Sequence, residues 1–194
     1  MSIAAVLGSS NRAFEELEYL RTIAKVDAVF AVNDAAAQYQ GDLAAFVTLH
    51  PEKLVPWTTN AGVRHPGWLS IRSHVDKLHK TCEIIAHEAG PGVTRVVDYC
   101  WPGMVASGSS GLFAVKVALE KFERVVCCGV PMDANRNHFD SVEPWYEVNS
   151  FWETWCEQAY VHIKDRVRSM SGRTAQLLGM PTKEFLAGGM PALQ

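Results

Sequence analysis

The sequence has no excess of positive charge and no long apolar run. Its 194 residues include 18 Lys and Arg against 21 Asp and Glu, which gives a net charge of −3. Broad binding to nucleic acid or to an anionic membrane requires surplus Lys and Arg, so neither is expected. No apolar stretch is long enough to span a bilayer, and the short one near Met1 lacks the basic flank of a signal peptide. We therefore expect a cytoplasmic protein without a membrane span.

Recognisable metal and redox motifs are also missing. The five cysteines form no C-x-x-C pair and their number is odd, which favours reduced thiols in a cytoplasmic protein. The seven histidines show no metal-ligand spacing among themselves or with Asp133, so a dedicated metal site is not expected.

Three sequence fingerprints of common enzymes are absent as well. Without G-x-x-x-x-G-K-[ST], a P-loop kinase is not expected, and without G-x-G-x-x-G after the first strand, neither is an ordinary dinucleotide oxidoreductase. The nearest approach to a G-x-S-x-G nucleophile elbow is S-G-S-S-G at residues 107–111, where Ser replaces the first Gly.

What the chain does contain is a repeated pattern of short apolar strands, several of them ending in small or polar residues. Strands are predicted over residues 3–7, 27–32, 43–49, 94–99 and 125–130, a repetition typical of α/β layering. The length suits one domain with a sizeable core. We expect a single-domain, Rossmann-like three-layer α/β fold with a mostly parallel sheet over residues 1–187, followed by a loose tail over 188–194.

Apolar residues at helical spacing predict the helices that accompany these strands. They cover residues 12–24, 75–89 and 145–166, with a short helix over 34–39 and a last helical turn over 183–187. Asn11 is the expected cap of the first helix. Residues 167–170 and 175–178 are predicted to be short strands or loop.

The stretch from Met104 to Asp133 is the most informative part of the chain. A loop of small residues, 106–111, opens a helix, and a buried type of strand follows it. The start of a helix offers free backbone N–H groups and the positive end of the helix dipole, which suit a phosphate group. Open α/β sheets bind ligands beyond the carboxyl ends of their strands. The stretch therefore predicts a nucleotide or another phosphorylated ligand.

Candidate ligand contacts follow the predicted strands or precede this helix. They are Gly8, Ser9, Ser10, Asn33, Ser107, Gly108, Ser109 and Asp133. Simpler roles stay open for all of them: a plain strand-to-helix turn at 8–10, a helix cap at Asn33, tight packing at 107–111, and a turn cap at Asp133.

His138 is the candidate general base, because imidazole titrates near neutral pH. An exposed loop histidine is the alternative. His50 follows the third strand and either orients a substrate, binds a metal or satisfies the local backbone.

The block A-S-G-S-S-G-L-F-A-V-K-V-A-L-E-K-F-E-R-V-V-C-C-G-V-P-M-D resembles the main block of the bacterial sialyltransferases of glycosyltransferase family 42. It also resembles the matching block of the archaeal 6-hydroxymethylpterin pyrophosphokinase-like family. G-S-S-N-R and A-V-N-D, after the first two strands, resemble the first two ligand-contacting loops of those families. Both resemblances imply a Rossmann-like sheet.

The sialyltransferase resemblance implies a CMP-sugar donor and a histidine that deprotonates the acceptor hydroxyl, with no obligatory metal. Gly8, Ser9, Asn33, Ser107, Gly108 and Asp133 would surround the nucleotide, and His138 stands in for the base. The pyrophosphokinase resemblance implies ATP with Mg²⁺, for which Asp34, Asp98 and Asp133 are the available ligands. A third interpretation is a non-catalytic, phage-related protein on the same fold. A homo-oligomer is compatible with each of these.

Overall fold

The computed structural model describes residues 1–54, 82–105, 109–134 and 147–188. In chain order, these residues form β1 (Ile3–Leu7), α1 (Ala13–Ile23), β2 (Ala28–Val32), α2 (Asp34–Gln38), β3 (Ala45–Thr48), a 3₁₀ turn (Pro51–Lys53), β4 (Glu83–Ala86), β5 (Arg95–Val96), α3 (Ser110–Leu119), β6 (Arg124–Cys128), α4 (Val148–Glu153), a π-helical turn (Thr154–Ala159), α5 (Tyr160–Ile163), β7 (Val167–Ser169), α6 (Gly172–Leu178) and α7 (Lys183–Leu186).

Across the described residues, seven strands form one sheet in the order β5-β4-β3-β2-β1-β6-β7, and every neighbouring pair is parallel. This confirms the predicted Rossmann-like α/β fold, with a sheet that is entirely parallel in this part of the chain. Parallel strands place all their carboxyl ends at one edge. The chain leaves β1 toward β2 on one side and leaves β6 toward β7 on the other, so the strand order reverses between β1 and β6.

Two apolar layers cover the two faces of the sheet, because successive strand residues point to opposite faces. From β1, Ala4 and Val6 join a core with α3, the π-helical turn and α5. Ile3, Ala5 and Leu7 join a second core with α1, α2 and α7. All five are buried. Strands buried on both faces are typical of parallel sheets and explain why these runs lack polar alternation.

Two predicted elements are wrong. Residues 83–86 form β4 instead of continuing the helix predicted over 75–89, and residues 75–81 lie outside the described part. Ile84 and Ile85 are completely buried between β3 and β5, where β-branched side chains fit a pleated surface. Residues 175–178 belong to α6 rather than to a strand or loop. Thr174 anchors this helix, because its hydroxyl donates to the Val130 carbonyl over 2.6 Å.

Other differences concern the ends of elements. Asn11 does not cap α1: the N-cap is Arg12, and the Ala13 N–H donates to the Ser10 carbonyl. The predicted helix over 145–166 is helical from 148 to 163 and contains the π-helical turn. The predicted tail over 188–194 lies beyond the described residues except for Gly188. No helix among the described residues is long and apolar enough to cross a membrane.

Candidate functional site

A pocket of about 340 Å³ opens at the carboxyl edge of the sheet, where the strand order reverses. Its lining comes from the ends of β1, β2, β3, β4 and β6 and from the first turn of α3. The described lining residues are Gly8, Ser9, Val32, Asn33, Leu49, His50, His87, Tyr99, Ser109, Ser110, Gly111, Gly129, Val130, Pro131, Met132 and Phe151. The volume lies within the range of small-molecule sites.

The start of α3 forms one wall of this pocket. Ser109 is its N-cap, and the Ser109 hydroxyl oxygen accepts hydrogen bonds from the Leu112 N–H and from the indole N–H of Trp155, both over 3.2 Å. The first N–H groups of a helix have no partners within the helix, and the dipole is positive at that end. Ser110 and Gly111 therefore present backbone donors at the wall of the pocket.

Three glycines let the backbone segments around the pocket approach one another. A Cβ atom on Gly8 would overlap the Gly129 carbonyl oxygen, and one on Gly111 would lie 2.8 Å from Val130 Cγ1. Gly129 has a φ of +69°, and a Cβ there would overlap Ala13. The end of β1 thus packs directly against the backbone that follows β6, and the start of α3 packs against the Val130 side chain.

A buried carboxylate supports the loop that follows β6. Glu16, on α1, is 5% exposed, and its Oε2 accepts a hydrogen bond from the Gly129 N–H over 2.7 Å. Its Oε1 lies 4.0 Å from Arg12 Nε. Charge-assisted bonds to backbone N–H groups are stronger than neutral ones, so Glu16 fixes Gly129 in its left-handed conformation.

Asn33 adopts an unusual backbone conformation at the end of β2. Its φ of +47° and ψ of −125° are costly for a residue with a side chain, and strain of this kind clusters at ligand sites. Its side chain does not cap α2. Asn33 Oδ1 instead accepts from the Thr48 hydroxyl over 2.9 Å, and Asn33 Nδ2 donates to Ser110 Oγ over 3.4 Å. These bonds join β2 and β3 to the start of α3.

Imidazole and aromatic rings form a further part of the pocket wall. His50 Nδ1 lies 3.2 Å from Glu52 Oε1, and its side chain is 44% exposed. His87, at the end of β4, packs its ring edge-on against Tyr99 with 5.5 Å between ring centroids. His87 Nδ1 is buried and has no hydrogen-bond partner among the described residues. Phe151, on α4, also lines the pocket. A planar base or a sugar ring suits this wall better than a phosphate does.

The structure brings together four of the predicted ligand contacts: Gly8, Ser9, Asn33 and Ser109. Ser10 is buried and does not line the pocket; its Oγ accepts from the Arg12 N–H. Asp133 does not line it either, because its Oδ1 accepts from the Arg173 N–H in the first turn of α6. Ser107, Gly108 and His138 lie outside the described residues.

Two pocket residues, His87 and Tyr99, were not predicted as ligand contacts. The signal for His87 was the one that identified the other strand ends: a short apolar run, I-I-A, followed at once by a polar residue. The predicted helix over 75–89 obscured it. Tyr99 follows the two-residue strand β5, and only the packing against His87 reveals its position.

The described residues that line this pocket include no acidic side chain. Among the described residues, no cluster of three or more His, Cys, Asp or Glu side chains could hold a metal ion. Asp34, Asp98 and Asp133, the expected ligands for Mg²⁺, are not among the residues that line the pocket.

Comparisons with known proteins do not assign the chain to a family. No protein-family model, no curated protein and no solved structure matches the chain. The resemblances to sialyltransferases and to pyrophosphokinases therefore stay predictions from the sequence.

Proposed function

We propose that the pocket at the carboxyl edge of the sheet binds a nucleotide or nucleotide sugar. One observation carries this proposal: the first turn of α3 and the ends of β1 and β2 line a single pocket at the point where the strand order reverses. Anionic groups bind at helix N-termini, and open α/β sheets bind ligands at such reversal points. The phosphate would contact Gly8, Ser9 and the start of α3, and the nucleoside would extend toward His87 and Tyr99.

The most specific form of the proposal is a glycosyltransferase-like enzyme with a CMP-type donor. The sequence segments that resemble the sialyltransferases supply Gly8, Ser9, Asn33 and Ser109 to the pocket wall. In such a transfer a base takes the proton of the acceptor hydroxyl, the acceptor oxygen bonds to the anomeric carbon, and CMP leaves with the electron pair of the broken bond. His138 remains the predicted base. Cytoplasmic location and self-association also remain predictions.

Thermal-shift titration with CMP, CTP, ATP and GTP, each with and without Mg²⁺, tests this function. We expect CMP and CTP to raise the melting temperature without Mg²⁺, by about 5–10 °C at about 100 times Kd, because only the folded chain has the pocket. Cytidine is the control ligand, since it lacks the phosphate and should give a smaller shift.

The other outcomes separate the alternatives. Stabilisation by ATP that requires Mg²⁺ would favour a pyrophosphokinase-like enzyme acting on a pterin-like alcohol. The absence of a shift with all four nucleotides would overturn both enzymatic proposals and favour a non-catalytic protein on this fold.

A further inference from the structure

The hydroxyl oxygens of Ser109 and Ser110 each already accept two hydrogen bonds. A serine hydroxyl accepts two hydrogen bonds and donates one. Ser109 Oγ accepts from the Leu112 N–H and the Trp155 indole N–H. Ser110 Oγ accepts from the Leu49 N–H and from Asn33 Nδ2, both over 3.4 Å. Each hydroxyl can therefore only donate to a further partner.

Ser110 is the clearer of the two cases. The residue is 8% exposed and lines the pocket, and no acceptor for its hydroxyl hydrogen is present among the described residues. A buried donor without an acceptor costs free energy, so an acceptor atom inside the pocket would bind favourably to this hydrogen.

In the structure, the Thr48 hydroxyl bonds the carbonyl side of the Asn33 amide. The His50 N–H donates to Thr48 Oγ1 over 2.9 Å, so the hydroxyl hydrogen of Thr48 is free to go to Asn33 Oδ1, also at 2.9 Å. The carbonyl of the Asn33 amide is thereby held toward Thr48, and its NH₂ group faces Ser110 and the pocket. Thr48 is fully buried and does not line the pocket, so it is a positioning residue.

We propose that Asn33, Ser109, Ser110 and the Gly111 N–H form a donor-only wall that recognises a phosphate group through oxygens that carry no hydrogen. Every group on this wall then donates, and a phosphate ester at neutral pH offers acceptors alone. A neutral hydroxyl ligand would bring a hydrogen that the wall cannot accept. The inference rests on the proposed function only in that the phosphate belongs to a nucleotide.

The test compares Asn33→Asp and Thr48→Val with the unaltered protein by isothermal titration calorimetry. The ligands are CMP, ribose 5-phosphate and cytidine. Asn33→Asp keeps the shape of the side chain but replaces donors with a negative charge, so we expect both phosphates to bind at least about 10-fold more weakly. Thr48→Val removes the hydroxyl that orients the amide, and we expect a loss of about 10-fold, with cytidine binding unchanged.

Matched variants control for charge and folding. Gln40→Glu adds the same charge at an exposed position beyond α2, and Thr94→Val removes a hydroxyl that likewise bonds backbone groups, those of Ile84 at the start of β4. Both should bind CMP normally. Thr48→Ser removes a methyl group but keeps the hydroxyl, so it should bind CMP as the unaltered protein does. If the loss in Thr48→Val came from packing alone, Thr48→Ser would also bind CMP more weakly. Melting temperatures of all variants identify any that fail to fold.

The outcomes separate this inference from the proposed function. If the protein binds CMP and both Asn33→Asp and Thr48→Val bind it equally well, the donor-only wall is wrong and nucleotide binding stands. If ribose 5-phosphate binds in an Asn33-dependent way and no nucleotide binds, the wall stands and the nucleotide proposal falls. If no phosphate ligand binds at all, both are overturned.

Discussion

At the scale of single residues, Glu16 has the most consequential polar contact outside the pocket wall. Its carboxylate reaches from α1 to the Gly129 N–H, and the bond between them is buried. A buried N–H without a partner costs about 1–3 kcal/mol, and more where a charged partner is lost. The position of Gly129, and with it part of the pocket wall, therefore depends on a residue that does not line the pocket.

We expect Glu16→Ala to lower the free energy of unfolding by about 2–3 kcal/mol, because it leaves the Gly129 N–H unpaired and a void behind it. Glu16→Gln keeps an acceptor oxygen and should cost less. Glu15→Ala is the control, since Glu15 is also acidic in the first turn of α1 but is exposed. Denaturant unfolding measures all three, and equal losses for Glu15→Ala and Glu16→Ala would contradict the role of the buried bond.

At the scale of elements, the start of α3 is fitted against the end of β6. Gly111 lies in the first turn of α3, and a Cβ atom there would lie 2.8 Å from Val130 Cγ1. The absence of a side chain at Gly111 thus allows the start of α3 to lie close to Val130, which brings the first N–H groups of the helix to the pocket.

We expect Gly111→Ala to destabilise the protein by about 1–3 kcal/mol, because its Cβ overlaps Val130 and overpacking costs more than helix propensity returns. The double variant Gly111→Ala with Val130→Ala frees that space and should recover part of the loss. A double-mutant cycle in denaturant unfolding gives the coupling between the two positions. Purely additive effects would show that the contact does not limit the approach of α3.

Many elements could be predicted from the sequence, and the exceptions have physical causes. Strands β1, β2, β3 and β6 are runs of buried apolar residues bounded by polar or small ones, so their places were found within two residues. Strand β4 was missed because Cys82, Ile85 and Ala89 also fall at helical intervals. A strand of four residues is too short for its periodicity to differ clearly from that of a helix.

The site was predicted less completely than the fold. Gly8 and Asn33 could be found because they follow strands directly. The hydrogen bonds among Thr48, Asn33 and Ser110 join residues far apart in the chain, so no local sequence pattern predicts them. The sequence also favoured Asp133 as a ligand contact, whereas the structure gives its carboxylate a bond at the start of α6.

At the scale of the whole molecule, β6, the strand next to the edge strand β7, holds two buried thiols. Cys127 and Cys128 lie side by side in β6 and face opposite cores. Burial, together with the negative charge of Glu16, raises the pKa of Cys127 to about 12 and raises the pKa of Cys128 as well. Both remain protonated in the folded chain at pH values where an unfolded chain releases the proton.

This predicts that stability falls as pH rises above about 8.5, where a thiol in the unfolded chain ionises. The folded state then holds more protons than the unfolded state, so each raised thiol lowers the free energy of unfolding by about 1.4 kcal/mol per pH unit until its own pKa is reached. Denaturant unfolding at several alkaline pH values gives the slope. Cys127→Ala should flatten it. Cys100→Ala is the comparison, because burial also raises the pKa of this thiol but Cys100 is partly exposed, so it should flatten the slope less. An unchanged slope in Cys127→Ala would contradict the prediction.

The position of β1 between β2 and β6 also bears on how the chain reaches this state. Ile3 is made well before one of its partners, Arg124, which follows more than 100 residues later in the chain. During synthesis on the ribosome, the edge of β1 that pairs with β6 therefore stays unpaired until β6 has been made. Pairings that span so much sequence slow folding and leave unsatisfied strand edges exposed to other chains. The pocket is lined by residues that follow both β1 and β6, so it requires this pairing, and incomplete chains would expose an edge of β1 to aggregation.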